Sequence, residues 1–200
     1  MNEPKNQKNK LSNRPYELAN NFAKRAYKLI KAKNLRNIID LGCGDGRDSI
    51  YFYNRGLNVT AFDFSEISIN KPQSQVKGIN YIIEDIRNIN FKENTFDVIY
   101  AHLSLQYFDD EATAKIFEKL YRILKKDGYI FIKCKSTQDY LCGKGEKIGE
   151  NMWKEGLVRH FFTKEFMTES LKNFRVIRIR KTSSVYFKYK SAFIEVIATK

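Results

Sequence analysis

The stretch I-I-D-L-G-C-G-D-G-R, Ile38 to Arg47, is an apolar run that ends in an acid and then turns through three closely spaced glycines. Glycine has no Cβ, so Gly42, Gly44 and Gly46 can take positive φ and bring backbone amides close to a ligand. The residues that follow read as a helix over roughly Asp45 to Arg55, whose N-terminal dipole favours a negatively charged group. A dinucleotide turn, G-x-G-x-x-G, would need glycine at position 47, where this chain has Arg47. The spacing is G-x-G-x-G instead. A second apolar run, Leu57 to Phe64, carries Asp63 21 residues after Gly42, where an acid can accept hydrogen bonds from ribose hydroxyls. Turn and acid together imply an adenosine-bearing cofactor.

Working outward, strands are predicted near Asn37 to Leu41, Asn58 to Phe64, Ile79 to Glu84, Phe96 to Ala101, Gly128 to Lys135, Arg175 to Lys181 and Phe193 to Thr199. Helices are predicted from Pro15, with Leu18, Phe22, Ala26, Leu29 and Ile30 on one face, and near Asp45 to Arg55, Ser65 to Val76, Glu111 to Leu124 and Thr163 to Asn173. Strand-helix alternation means a parallel sheet covered by helices on both faces. The last two strands have no helix between them, so they form a hairpin that adds an antiparallel strand. Ser136 to Phe162 reads as a long irregular connection leaving the same sheet edge as the glycine turn, with four glycines to let it move, and is predicted to be a lid. Met1 to Asn13, rich in Lys and Asn, reads as a disordered basic arm, and residues 14–200 as a single domain.

These segments carry a family resemblance. D-L-G-C-G-D-G-R with V-T-A-F-D-F-S (Val59 to Ser65) resembles the first two motifs of the class I S-adenosylmethionine-dependent methyltransferases. E-D-I-R-N-I-N-F-K-E-N-T-F-D-V-I (Glu84 to Ile99) resembles the third motif and fourth strand of that family, and Y-R-I-L-K-K-D-G-Y-I-F-I (Tyr121 to Ile132) its next helix end and fifth strand. The chain departs from the pattern at Lys126-Asp127-Gly128, where the family commonly has Pro-Gly-Gly. The resemblance, to the small single-domain tellurite-resistance and thiopurine-like type, spans about Tyr16 to Thr199. It implies a Rossmann-like three-layer α/β sandwich with a seven-stranded sheet in the order 3-2-1-4-5-7-6. It also implies S-adenosyl-L-methionine as cofactor, with Gly42, Cys43, Gly44, Gly46 and Arg47 around its methionine portion and Asp40 beneath. Asp63 and Phe64 would meet the ribose, Asp85 and Ile86 the adenine, and Ala101 and His102 the sulfonium end. Without the resemblance, Asp40 and Asp63 also read as strand-end acids that cap the next helix.

Composition sets outer limits. Two hundred residues, 42% hydrophobic and 30% charged, suit one soluble domain. The N-terminus has no apolar signal core, which leads to an expectation of a cytoplasmic protein. Cys43, Cys134 and Cys142 have no metal-ligand spacing, and Tyr100 to Gln106 offers no carboxylate for magnesium, so no metal is expected. The net charge of +13 sits at the ends: residues 1–36 carry ten Lys/Arg against two acids, and residues 172–200 eight against one. That charge suits either an acidic partner or an ordinary solvated surface.

Methyl transfer from a sulfonium needs mainly positioning and water exclusion, so few catalytic residues are demanded. His102, after the fourth strand, is a candidate base or a hydrogen-bonded strand-end histidine. Arg159 and His160 are candidates to grip an anionic acceptor, or a surface pair before a helix. Tyr16, Gln106, Tyr107, Tyr140 and Trp153 are candidate pocket walls or packing residues. The leading expectation is transfer to a small-molecule acceptor. The alternatives are an RNA methyltransferase using the basic termini and a non-catalytic cofactor-binding module. A base-amino type of nucleic-acid enzyme is excluded, because its N-P-P-Y loop cannot be built from Pro4, Pro15 and Pro72 alone.

Overall fold

The structure, a computed structural model, describes residues 19–70, 76–186 and 189–200. The expected arm at 1–13, Tyr16, Leu18 and part of the third predicted helix lie outside those residues. Nine elements build the first two thirds of the chain: α1 (Asn21–Ala32), β1 (Asn37–Leu41), α2 (Arg47–Tyr53), β2 (Asn58–Asp63), α3 (Glu66–Ile69), β3 (Asn80–Ile83), β4 (Phe96–His102), α4 (Asp110–Ile123) and β5 (Leu124–Lys135). Six follow: β6 (Glu146–Gly149), β7 (Met152–Glu155), β8 (Leu157–His160), α5 (Lys164–Ser170), β9 (Arg175–Tyr186) and β10 (Tyr189–Thr199).

Seven strands form one sheet in the order β3-β2-β1-β4-β5-β10-β9. With β9 and β10 as sixth and seventh strands, this is the predicted order 3-2-1-4-5-7-6. β1 pairs parallel with β2 and β4, and β10 is antiparallel to β5 and β9.

Alternation along the strands feeds two cores. Ile39, Leu41, Ile99, Ile130 and Ile132 pack against Ile116, Phe117 and Leu120 of α4 and Met167 of α5. Ile38, Val98, Tyr100 and Phe131 point the other way, onto Ala23, Ala26 and Ile30 of α1 and Phe52 of α2. That is a three-layer sandwich. Three helices start at the capping residues their sequences supply: Asn20, Asp109 and Thr163 accept the amides of Ala23, Ala112 and Phe166.

Several boundaries differ from the sequence reading: α1 starts at Asn21 behind its cap Asn20 rather than at Pro15, α3 ends at Ile69 rather than Val76, and three further differences bear on the sheet and the site. β5 begins four residues earlier, at Leu124, because the Lys125-Lys126-Asp127 stretch is absorbed as a bulge opposite Phe96 to Val98, with Asp127 at φ 61°. The β9–β10 hairpin is longer than read, since T-S-S-V-Y continues the ladder beyond the core. Residues 136–162, read as irregular, contain a three-stranded antiparallel meander, β6-β7-β8. Its strands are only four residues long and largely exposed, so they lack a clear apolar alternation. Asn151 and Gly156, at φ 53° and 70°, make its turns.

Candidate functional site

Gly42, Gly44 and Gly46 all take positive φ, at 72°, 56° and 75°. The two outer ones have distinct local reasons. A Cβ on Gly42 would collide with Cβ of Ser104, whose hydroxyl donates to the Leu41 carbonyl at 2.5 Å. Gly46 is the αL cap of α2. A Cβ on Gly44 would meet open space, so that backbone is accessible to a ligand.

Asp63 ties the turn to β2, its two carboxylate oxygens accepting the Gly44 and Ser65 amides at 2.8 Å each. Each oxygen keeps a further lone pair for a ribose hydroxyl. Asp40 lies beneath the turn, buried, and accepts from the Ser49 hydroxyl at 2.6 Å. Burial first, then the neighbouring Asp48 and Asp63 charges, push its pKa up to about 8. Asp48 is also buried; it accepts from the Asn20 amides and, at 3.0 Å, from the Tyr100 hydroxyl. Arg47 turns its Nε toward Asp48 at 3.5 Å. Burial raises the Cys43 thiol well above its ordinary value.

A cleft of about 500 Å³ opens beside the turn, and its walls include Gly42, Asp63, Phe64, Asp85, Ile86 and Tyr107. Six of the residues singled out in the sequence therefore converge. Phe64 is 77% exposed, an apolar surface with nothing packed on it. Asp85 is engaged by its own chain: Arg87 donates to both carboxylate oxygens, the shortest contact being 2.6 Å. That guanidinium holds the Asp85 carboxyl below the usual carboxylate range.

Sequence reasoning missed Arg87, Leu103, Ser104, Phe108, Leu157 and Val158, which complete the wall. Leu103, at φ 61°, turns the chain at the end of β4. Leu157 and Val158 come from β8, so the meander reaches the cleft. The position of Leu103 and Ser104 just beyond a strand end was the available signal.

The remaining candidates lie elsewhere. Ala101 is buried in the α4-side core, and His102 stacks with Tyr100 and Phe22 on the α1 side. Burial, then Lys133 and Arg47, drive the His102 pKa down to about 3. Gln106 is buried and accepts the Lys135 amide at 2.8 Å. Tyr140 stacks on Tyr189, and Trp153 meets Phe161 edge to face. Arg159 and His160 do not form the expected grip. Arg159 bonds the Glu155 carbonyl, while His160 is 2% exposed between Phe162 and Phe166.

Residues 38–128, the glycine turn through the start of β5, match a family model described as "Methyltransferase domain". Residues 38–128 thus carry a methyltransferase domain of the class I S-adenosylmethionine-dependent type. S-adenosylmethionine is the methyl donor of that family. Among curated methyltransferases, the chain is 24% identical to the malonyl-[acyl-carrier protein] O-methyltransferase of Salmonella typhimurium, over 80% of this chain and 62% of that one. It is 28% identical to the phosphoethanolamine N-methyltransferase of Plasmodium falciparum, over 63% of this chain and 47% of that one. The chain thus spans less than two thirds of either relative. The crystal structure of TehB from Haemophilus influenzae superposes with a TM-score of 0.68 at 21% identity, covering 88% of this chain and 62% of that one. No helix among the described residues is long and apolar enough to cross a membrane.

Proposed function

We propose that this chain transfers a methyl group from S-adenosylmethionine to a small-molecule acceptor bearing an anionic group. The observation that carries the reading is the Asp63–Gly44 clasp at the mouth of a cleft whose walls are the residues of the cofactor motifs. Open space above Gly44 and the uncovered Phe64 ring fit a bound nucleoside. Asp63 would accept from the ribose hydroxyls, while Asp85 and the Ile86 backbone would take the adenine edge.

When bound, the cofactor supplies a methyl carbon already activated by its sulfonium. The protein then has to align the acceptor and keep water out. We assign the second task to residues 136–162 as a lid, because Leu157 and Val158 of β8 already form part of the cleft wall. The acceptors in the two relatives' names, a malonyl group on a carrier protein and phosphoethanolamine, both carry an anionic group, which suits a chain with net charge +13.

The test is calorimetric titration with S-adenosylmethionine and S-adenosylhomocysteine. Binding of both, lost in Gly44→Val without loss of fold, supports the reading. Absence of binding by the wild-type chain overturns it.

A further inference from the structure

Four charged or titratable side chains stand in one row across the sheet, on the face that α1 covers. His102 of β4 is paired in register with Lys133 of β5, Lys133 with Glu195 of β10, and Glu195 with Arg180 of β9. Parallel and antiparallel partners in direct register project to the same face. Arg25 of α1 closes the row from above, its Nη2 lying 2.8 Å from each Glu195 oxygen. Arg180 donates to Glu195 at 2.7 Å, and Lys133 Nζ is 3.5 Å away.

Three cations thus surround one buried carboxylate, leaving two positive charges in excess. Glu195 has only 5% of its side chain exposed, whereas Arg25 and Arg180 keep 45% and 40%. A guanidinium has five donors in a planar fork. Arg25 gives Glu195 its Nη2, and Arg180 its Nε and Nη2, which leaves the other guanidinium nitrogens without a bond to Glu195, and both arginines line the adjoining groove. That groove, of about 490 Å³, runs between α1 and β10 and includes Phe22, Arg25, Phe131, Arg180 and Glu195 in its walls. Phe22, in the groove wall, also touches the His102 ring at the end of β4, with centroids 6.1 Å apart. Lys133 lies over the Phe193 ring at 4.1 Å, which gives the row an apolar floor beside its charges.

We infer that the Arg25–Lys133–Arg180 cluster, organised by Glu195, is the binding site for the carboxylate or phosphate group of the methyl acceptor. The inference rests on the proposed methyl transfer and replaces Arg159 and His160 as the anion grip. Arginine forks suit such a group because they donate two parallel bonds to it. Burial is the main force against protonation of His102, with Lys133 and Arg47 adding to it and Glu195 opposing them; an oxyanion at the cluster would offset the Lys133 part. The acceptor would therefore make His102 a better proton acceptor as it binds.

The full chain is titrated at neutral pH with malonate and, separately, with inorganic phosphate, each with and without saturating S-adenosylhomocysteine. Binding of malonate alone marks a carboxylate acceptor and binding of phosphate alone a phosphate one; either supports the site. Lys133→Met and Arg180→Met should each weaken it about tenfold, the loss of one charge-assisted contact. Lys115→Met, an equal charge loss on the exposed face of α4, should not. The wild-type chain supplies a readout independent of any variant. It has only two histidines, so the ring resonances of His102 should move on adding the anion while those of His160 stay put. No heat with either anion, equal binding in all three variants, or an unmoved His102 overturns the site. Failure of S-adenosylhomocysteine to bind overturns the methyl-transfer reading instead, and the titrations without cofactor distinguish the two.

Discussion

The Asp63 carboxylate accepts the Gly44 backbone amide at 2.8 Å, which fastens the end of β2 to the glycine turn after β1. One acid therefore shapes the turn and faces the cleft. In Asp63→Asn the side-chain size is kept, but the charge and one acceptor oxygen are lost, so either the Gly44 or the Ser65 amide faces an NH2 group instead of an acceptor. Binding of S-adenosylhomocysteine is expected to weaken roughly 10- to 100-fold, as for charge-assisted hydrogen bonds of about 1.5–3 kcal/mol. Unchanged affinity by calorimetry would show that Asp63 serves the turn alone.

The glycines separate a packing role from a ligand role. Gly42→Ala places a methyl against Ser104 at φ 72°, so a loss of about 1–3 kcal/mol in denaturant unfolding is expected. Ser104→Gly in the same chain should return part of it. Gly44→Ala meets no neighbour, and its cost in stability is confined to the strained φ of 56°. Its larger effect is expected on cofactor affinity. If both variants lose stability and affinity in the same proportion, that separation is wrong.

The cofactor half was legible in the sequence because its determinants are local. An apolar run, an acid, a glycine turn and a second acid all lie within Ile38 to Phe64, so even the Asp63–Gly44 bond spans only 19 residues of chain. The sheet order followed from the strand-helix alternation and the family resemblance together. The anion cluster was illegible for the opposite reason. Arg25, Lys133, Arg180 and Glu195 come from four elements, and only the register of β4, β5, β10 and β9 lines them up. Arg159 and His160 looked like a pair because they are adjacent. Along a strand, however, neighbours point to opposite faces, which sends His160 into the Phe162–Phe166 packing and leaves Arg159 outside. Arg87 was hidden by its closeness to Asp85, since the sequence shows the acid but not that its carboxylate is already in use.

The buried acid beneath the turn sets a pH dependence. The folded pKa of Asp40 is raised to about 8 from 3.8, so the fold favours its protonated form. This contribution to stability is whole below the unfolded value and is lost as pH rises through the folded one. Burial shifts Asp48 in the same direction. Wild-type protein should therefore lose stability between about pH 4 and pH 8. Asp40→Asn, neutral at every pH, should have a flatter profile, matching wild type near the acid end and exceeding its Tm by roughly 5 °C at pH 8. A constant Tm difference across the range would mean that Asp40 is already ionised in the fold.

The lid assignment predicts where protection should appear. β8 contributes Leu157 and Val158 to the cleft wall, yet Leu157 is 60% exposed and the β6-β7-β8 meander is largely outside both cores. Few buried contacts hold such a segment, so its amides should exchange rapidly in the free protein. Packing against a bound nucleoside would bury Leu157 and slow exchange along β7 and β8, with little change in β1 or β4. Leu157→Ser removes that apolar contact without opening a core. It should leave the Tm within about 2 °C of wild type while weakening S-adenosylhomocysteine several-fold, because burying a leucine is worth about 1.5–3 kcal/mol and only part of the side chain becomes covered. Hydrogen exchange that slows at the glycine turn but not in residues 152–160 would make the meander a fixed wall rather than a moving cover.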